Sequence, residues 1–159
     1  MEAVTNTTVL AFLGKIGRLD LLEIFKKIIT SPEVRAEVFA KEDLHPTELI
    51  VLEDFFKSRI KVIPSKKRLP DLGIGESTAI PLCKEHRIDR FLSDDRKARW
   101  CAKALGLKPI GVIGIILENC RQKRISKGEA ESIILGAVSN GLYIDAKLLS
   151  DSLTMLSKL

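Results

Sequence analysis

Two adjacent carboxylates, Asp94 and Asp95, stand between a short apolar run, Ile88 to Leu92, and a basic, helix-favouring segment that stops at Gly106. An apolar strand that ends in acid and feeds a helix puts those acids at the carboxyl end of a strand, where ligands gather in open α/β sheets. Side-by-side carboxylates repel unless a cation or a capping role relieves them. Ser93-Asp94 ahead of a helix is also an ordinary N-cap, and Asp95 would sit well on the helix dipole. The pair therefore admits two readings, cap or cation ligand.

Two further acids bear on that choice. Glu37 lies three residues after Val34 and one before Val38, so it borders the apolar stripe of a helix that Ser31 caps and Pro32 opens. It could equally reach water from that edge. Glu76 shares a face with Ala79, Ile80 and Cys83, at i, i+3, i+4 and i+7 of a helix opened by Gly73-Ile74-Gly75. Its place in the first turn also suits the helix dipole. Pro81, inside that helix, removes a backbone donor and predicts a kink just past the first turn.

These acids need an ordered scaffold, and the chain can build one. At 159 residues, 45% hydrophobic and 30% charged, it reads as one globular domain, 1–159, with a mostly aliphatic core because only 5% is aromatic. No apolar run is long enough to span a bilayer, and Met1-Glu2-Ala3 does not open a signal segment, so the expected setting is cytoplasmic, without membrane partners. Three cysteines, Cys83, Cys101 and Cys120, lack any CxxC spacing, and His45 and His86 are isolated; zinc and a disulfide framework are disfavoured. The net charge of +5 is clustered in Lys66-Lys67-Arg68, in Arg96, Lys97, Arg99 and Lys103, and in Arg121, Lys123 and Arg124. Such clusters favour a polyanion, or else form solvated helix faces.

In order, the pattern predicts a strand at Ala3–Thr5 and a helix from the Asn6-Thr7-Thr8 turn to about Gly14. A second short amphipathic helix follows over Leu19–Phe25, then a strand at Ile28-Ile29 and the helix after Ser31. A helix starts at Pro46, and Ile60–Ile63 alternates like a strand. Pro64 to Pro70 reads as a mobile or substrate-facing loop. After the Glu76 helix come the strand at Ile88–Leu92, a helix over 95–105, a strand at 108–112, and helices at 114–121 and 127–138. Gly141–Ile144 is a short extended piece, and Asp145 caps a last amphipathic helix. Strands alternating with helices imply a three-layer α/β/α fold with a mostly parallel sheet, residues 127–159 forming a helical C-terminal extension. In that last helix Leu148, Leu149, Leu153 and Leu156 either close the core or form an interface.

The ordered set Asn-Thr-Thr-x-Leu, Ser-Pro-x-Val-x-x-Glu, Gly-x-Gly-Glu-x-x-Ala-Ile and Leu-Ser-Asp-Asp-Arg-Lys-Ala-Arg resembles the PIN (PilT N-terminus) domain superfamily. Lys15 to Leu22 and Gly111-Val112-Ile113-Gly114 narrow the likeness to a prokaryotic PIN-like branch, and it runs from about residue 3 to Tyr143. The resemblance implies a Mg²⁺- or Mn²⁺-dependent endoribonuclease acting on single-stranded or loop RNA, many relatives being toxins of toxin–antitoxin pairs. An antitoxin protein and a second copy of the chain are then the expected protein partners. It implies metal ligands at Asn6, Glu37, Glu76, Asp94 and Asp95, with Glu37, Glu76 and Asp95 catalytic and Asp94 the better helix cap. It gives Lys66, Lys67, Arg68, Arg96, Lys97 and Arg99 to the nucleic acid. Asn6 stands where the family usually has Asp; its carbonyl oxygen can still meet a hard cation, with one negative charge fewer. The alternative is a catalytically weakened PIN-like module binding RNA or a protein. A phosphate-handling P-loop domain is disfavoured, because Gly73-Ile74-Gly75 lacks the lysine and spacing of that loop.

Overall fold

The computed structural model describes all residues 1–159. Five short strands form one sheet in the order β3-β2-β1-β4-β5, and every pairing is parallel. They are β1 (Glu2–Thr5), β2 (Lys27–Thr30), β3 (Ile60–Val62), β4 (Arg90–Leu92) and β5 (Lys108–Ile110). Parallel strands covered on both faces read as continuous apolar runs. That is why Ala3-Val4, Ile28-Ile29 and Phe91-Leu92, all buried, lie at the centre of the sheet. With helices over the sheet, the architecture is three-layer α/β/α with a helical C-terminal part.

The strand order reverses beside β1. From β1 the chain moves out through β2 to β3, then crosses back to β4 on the other side of β1. The gap above the carboxyl ends of β1 and β4 is therefore the topological switch point of the sheet. The backbone N–H of Asn6 donates to the Leu92 carbonyl at 2.9 Å, so the pairing continues into the two site loops.

The helices of this first compact unit, Met1–Gly111, are α1 (Thr7–Lys15), α2 (Pro32–Phe39), α3 (Pro46–Arg59), α4 (Ile74–Glu85) and α5 (Arg96–Ala104). Ser31 caps α2 by accepting from Val34 N at 3.2 Å, as Ser-Pro implied. The segment Leu19–Ile24 is a 3₁₀ helix, not the α-helix its pattern suggested. Four apolar residues in six (Leu19, Leu21, Leu22 and Ile24) are all buried, and the tighter three-residue turn aims more of them inward than an amphipathic α-helix could.

Two other expectations are corrected. Gly141–Ile144 forms no strand: Leu142 N turns back to the Ala137 carbonyl at 3.0 Å and Gly141 takes a φ of 97°, so the piece closes a helix. The 64–70 loop, expected to be mobile or substrate-facing, is tied down by hydrogen bonds, which goes against the first of those readings and leaves the second open. Glu85 Oε1 accepts from Lys66 N at 2.9 Å and from Ser65 Oγ at 3.1 Å. Leu69 N also donates to the Ser77 carbonyl at 3.0 Å. Residue 77 is the i−4 acceptor that Pro81, lacking an N–H, cannot use. The proline inside α4 thus releases the carbonyl that holds the basic loop.

The second compact unit, Val112–Leu159, begins ahead of the extension expected at 127–159 and contains α6 (Val112–Arg121), α7 (Lys127–Ser139) and α8 (Ala146–Lys158). Ser126 and Asp145 cap α7 and α8, accepting from Glu129 N at 3.0 Å and Leu148 N at 2.7 Å. Of the α8 leucines, Leu156 is buried and Leu149 and Leu153 half-buried, while Leu148 is exposed, so most of that stripe closes the core.

Cys83, on the buried face of α4, has its thiol pushed up to about 12 by burial, with the Asp89 carboxylate adding to the push. A thiol that ionises freely only when unfolded lowers stability as pH rises from the ordinary value of 9.0 toward 12. Cys83→Ala should remove that slope in alkaline melting curves. In native alkylation followed by mass spectrometry, half-buried Cys101 should react before Cys83 and Cys120.

Candidate functional site

Asn6 occupies the first position past β1, in extended conformation (φ −98°, ψ 174°), and heads α1 without capping it. Its wholly buried side chain crosses the switch point: Nδ2 donates to Glu76 Oε1 and to Ser93 Oγ, both at 3.3 Å. The amide orientation follows from Glu76, because exchanging O and N would face a carbonyl oxygen to a carboxylate. Asn6 Oδ1 is then a buried acceptor with no hydrogen-bond partner. Leaving such a group unmet costs about 1–3 kcal/mol.

Glu76 comes from the first turn of α4 and folds back over Gly73, where any Cβ would strike Glu76 Oε2. Glu37, from α2, reaches the same helix start. Its Oε2 accepts from Thr7 Oγ1 at 2.6 Å and its Oε1 from the backbone N–H of Gly75 at 2.9 Å. A Cβ on Gly75 would lie 2.5 Å from Glu37 Oε2, so this position has to be glycine for the carboxylate to approach. Glu37 and Glu76 thus flank one helix start, and Asn6 and Thr7 join them to the end of β1.

Past β4 the two aspartates separate. Asp95 is the N-cap of α5, its Oδ1 accepting from Ala98 N at 2.7 Å, which corrects the expectation that Asp94 would cap. The geometry explains the choice: Ser93 Oγ accepts from Asp95 N at 3.1 Å and Thr8 Oγ1 from Asp94 N at 2.9 Å, which sets residue 95 in the extended conformation a cap needs. Asp94 lies instead beside Gly111, where any Cβ would run into Asp94 Oδ1 and sit 3.3 Å from Arg99 Nη1. Arg99 Nη1 donates to the Ser93 carbonyl at 2.9 Å. Among the basic residues, Arg99 is therefore committed to holding this turn, and Arg68 pairs with Glu33 at 3.1 Å. Lys66, Lys67, Arg96 and Lys97 are exposed and form no ion pair.

The switch point therefore gathers Asn6, Glu76, Ser93 and Glu37, with Asp94 at the β4–β5 edge and Asp95 drawn into its cap. No three His, Cys, Asp or Glu side chains converge closely enough to cage an ion. The donors are nonetheless all oxygens, and the orphaned Asn6 Oδ1 lies on the same side chain that touches Glu76. Mg²⁺ is commonly held by one or two carboxylates with waters and substrate phosphates completing its shell, and this donor set fits that mode and excludes zinc-like N/S ligation. From the sequence Thr7 reads as part of a turn, Ser93 as part of a cap and Gly111 as part of a family block; their roles beside Glu37, Asn6 and Asp94 come only with the fold, because each of these contacts joins different elements.

The Gly111 contact can be measured. Gly111→Ala should lower stability by about 1–3 kcal/mol in denaturant melts through overpacking. In an Asp94→Ala background the cost should fall, because the struck oxygen is gone; additive costs would remove the contact from the account.

A family model for a PIN domain, DUF3368, matches residues 2–158. No curated protein matches the chain. Among solved structures the chain is similar to a PilT N-terminus domain protein from the hyperthermophilic archaeon Sulfolobus solfataricus P2, a distant likeness. The two are 16% identical, with 72% of this chain and 90% of that chain covered and a TM-score of 0.47. With the family match running over nearly its whole length, the chain belongs to the PIN domain family, in a nuclease-like superfamily.

Proposed function

We propose that the chain is a divalent-metal-dependent endoribonuclease that hydrolyses phosphodiesters of unpaired RNA at the switch point of its sheet. The observation that carries this reading is Asn6 Oδ1, a buried oxygen with no partner on a side chain that also touches the Glu76 carboxylate. Family membership supports it, since PIN domains are in general divalent-metal-dependent nucleases. Asn6 and Glu76 would hold Mg²⁺ or Mn²⁺, with Glu37 and Asp94 adding negative charge nearby. When bound, such an ion polarises the phosphoryl oxygens and makes its water a nucleophile near neutral pH.

The chain's own residues prepare that chemistry. Thr7 and the Gly75 N–H orient Glu37, and Ser93 steadies the Asn6 amide. Asp95 keeps the start of α5 in place through its cap, and it would share in the acid cluster while doing so. Lys66, Lys67, Arg96 and Lys97 would take flanking phosphates. A second reading, a polynucleotide-binding module with little turnover, is favoured by two facts: Asn6 contributes no charge, and both Glu37 oxygens already accept hydrogen bonds.

Thermal melts with Mn²⁺ and cleavage assays on an unstructured RNA separate these. Millimolar Mn²⁺ should raise Tm, by about 2.7 kcal/mol of added stability at a hundredfold excess over Kd. Glu76→Gln should abolish both the rise and cleavage. Asn6→Asp should lower Tm without metal, because it sets two carboxylates at hydrogen-bond distance, and enlarge the Mn²⁺ response. If only Asn6→Asp responds to Mn²⁺, the low-turnover module is correct; if neither responds, the metal reading is wrong.

A further inference from the structure

The helix that leaves the Asp95 cap also carries Trp100, set among basic residues of which Arg96 and Lys97 already have a part in the proposed function. Arg96, Lys97, Trp100 and Lys103 are spaced i, i+1, i+4 and i+7, so they share one face of α5, and all four are exposed. Trp100 is the only tryptophan of the chain and is 73% exposed. The opposite face, Ala98 and Ala102, is fully buried. Trp100 therefore gives little to the core; a lone exposed ring is ordinary on a surface, and what sets this one apart is the three cations beside it on the same helix. None of the three cations has a carboxylate within ion-pair reach, although salt bridges occur elsewhere on this surface.

An exposed indole set among unpaired cations is complementary to one class of ligand, an unpaired polynucleotide strand. The ring offers a stacking plane to any base and the cations meet the phosphates on either side. A duplex hides its base faces; a protein interface also uses indoles as anchors, but an apolar anchor pocket has no need of three unpaired cations around the ring. The position also suits the task. Trp100 is five residues beyond the Asp95 cap, about 7.5 Å along the helix axis at 1.5 Å per residue, so a base stacked there would belong to a nucleotide close to the acid cluster.

We infer that Trp100 is a base-stacking platform which, with Arg96, Lys97 and Lys103, receives single-stranded RNA and positions it beside the switch point. The choice of RNA over other strands rests on the nuclease reading; the stacking itself does not. Sequence preference should be weak, because every base has a stacking face.

The single tryptophan makes the test direct. The full chain in EDTA is titrated with a uridine 12-mer, an adenosine 12-mer and a duplex of equal length. Trp100 emission should be quenched saturably by the two single strands, more strongly by adenosine, and little by the duplex. In anisotropy titrations with labelled strands, Trp100→Ala should weaken single-strand binding about 10- to 100-fold and Trp100→Phe much less, with Tm unchanged in both. Replacing Arg96, Lys97 and Lys103 by Gln should flatten the salt dependence. Unquenched emission, equal affinity for duplex, or undiminished binding by Trp100→Ala would overturn the platform, as would a Trp100→Ala chain that changes from dimer to monomer. Binding with quenching but without Mn²⁺-dependent cleavage would retain the platform and sink the nuclease reading; cleavage with an unchanged KM in Trp100→Ala would do the reverse.

Discussion

The hydrogen bond from Asn6 N to the Leu92 carbonyl, extending the parallel pairing of β1 with β4, is the constraint on which the site depends. It locks together two loops that leave the sheet toward different helices, and it does so where the strand order reverses. Once the two backbones are fixed at 2.9 Å, the Asn6 side chain has nowhere to go but across the gap, to Ser93 on one side and Glu76 on the other. Glu76 then arrives from the first turn of α4, and Glu37, from the last turn of α2, reaches that same start of α4. Glycines at 73, 75 and 111 each leave the room a carboxylate occupies. An acid-rich site of this kind is held by hydrogen bonds from neutral donors, the Thr7 hydroxyl, the Asn6 amide and the Gly75 N–H, and by very few cations.

That economy of cations has a consequence. Arg99 and Arg68 are consumed in holding the β4 turn and in pairing with Glu33, so within these two basic clusters the unpaired cations are Lys66 and Lys67 of the pinned 64–70 loop and Arg96, Lys97 and Lys103 on the outer face of α5. Pro81 contributes at a distance, because the carbonyl it leaves unused inside α4 is the anchor for Leu69 and so for the loop bearing Lys66 and Lys67. A residue that looks like a fault in a helix organises a surface instead.

Much of the scaffold was legible in order. The Ser31-Pro32 start, the Asp145 cap and the apolar runs of the central strands are local signals, decided by backbone hydrogen-bonding needs and by burial on two sheet faces. The carboxylates that face inward were also legible, since Glu37 and Glu76 both border apolar stripes. Less legible was which aspartate caps α5, because either would serve by preference alone; the hydrogen bonds of Thr8 and Ser93 chose Asp95. The 3₁₀ turn at Leu19–Ile24 and the anchoring of the 64–70 loop were likewise beyond local pattern.

By itself, then, the sequence determined the alternation of strands and helices, the oxygen-only character of the site's donors, and the clustering of basic residues, because each of these is a matter of residue type and short-range spacing. Tertiary structure alone decided that Asn6 would donate to Glu76 and leave its own oxygen unmet, that Glu37 would spend both oxygens on Thr7 and Gly75, and that Trp100 would face water among unpaired cations. The physical reason is sequence separation. Asn6 meets Glu76 across 70 residues and Ser93 across 87, and such contacts exist only after the parallel sheet has brought the ends of β1 and β4 together.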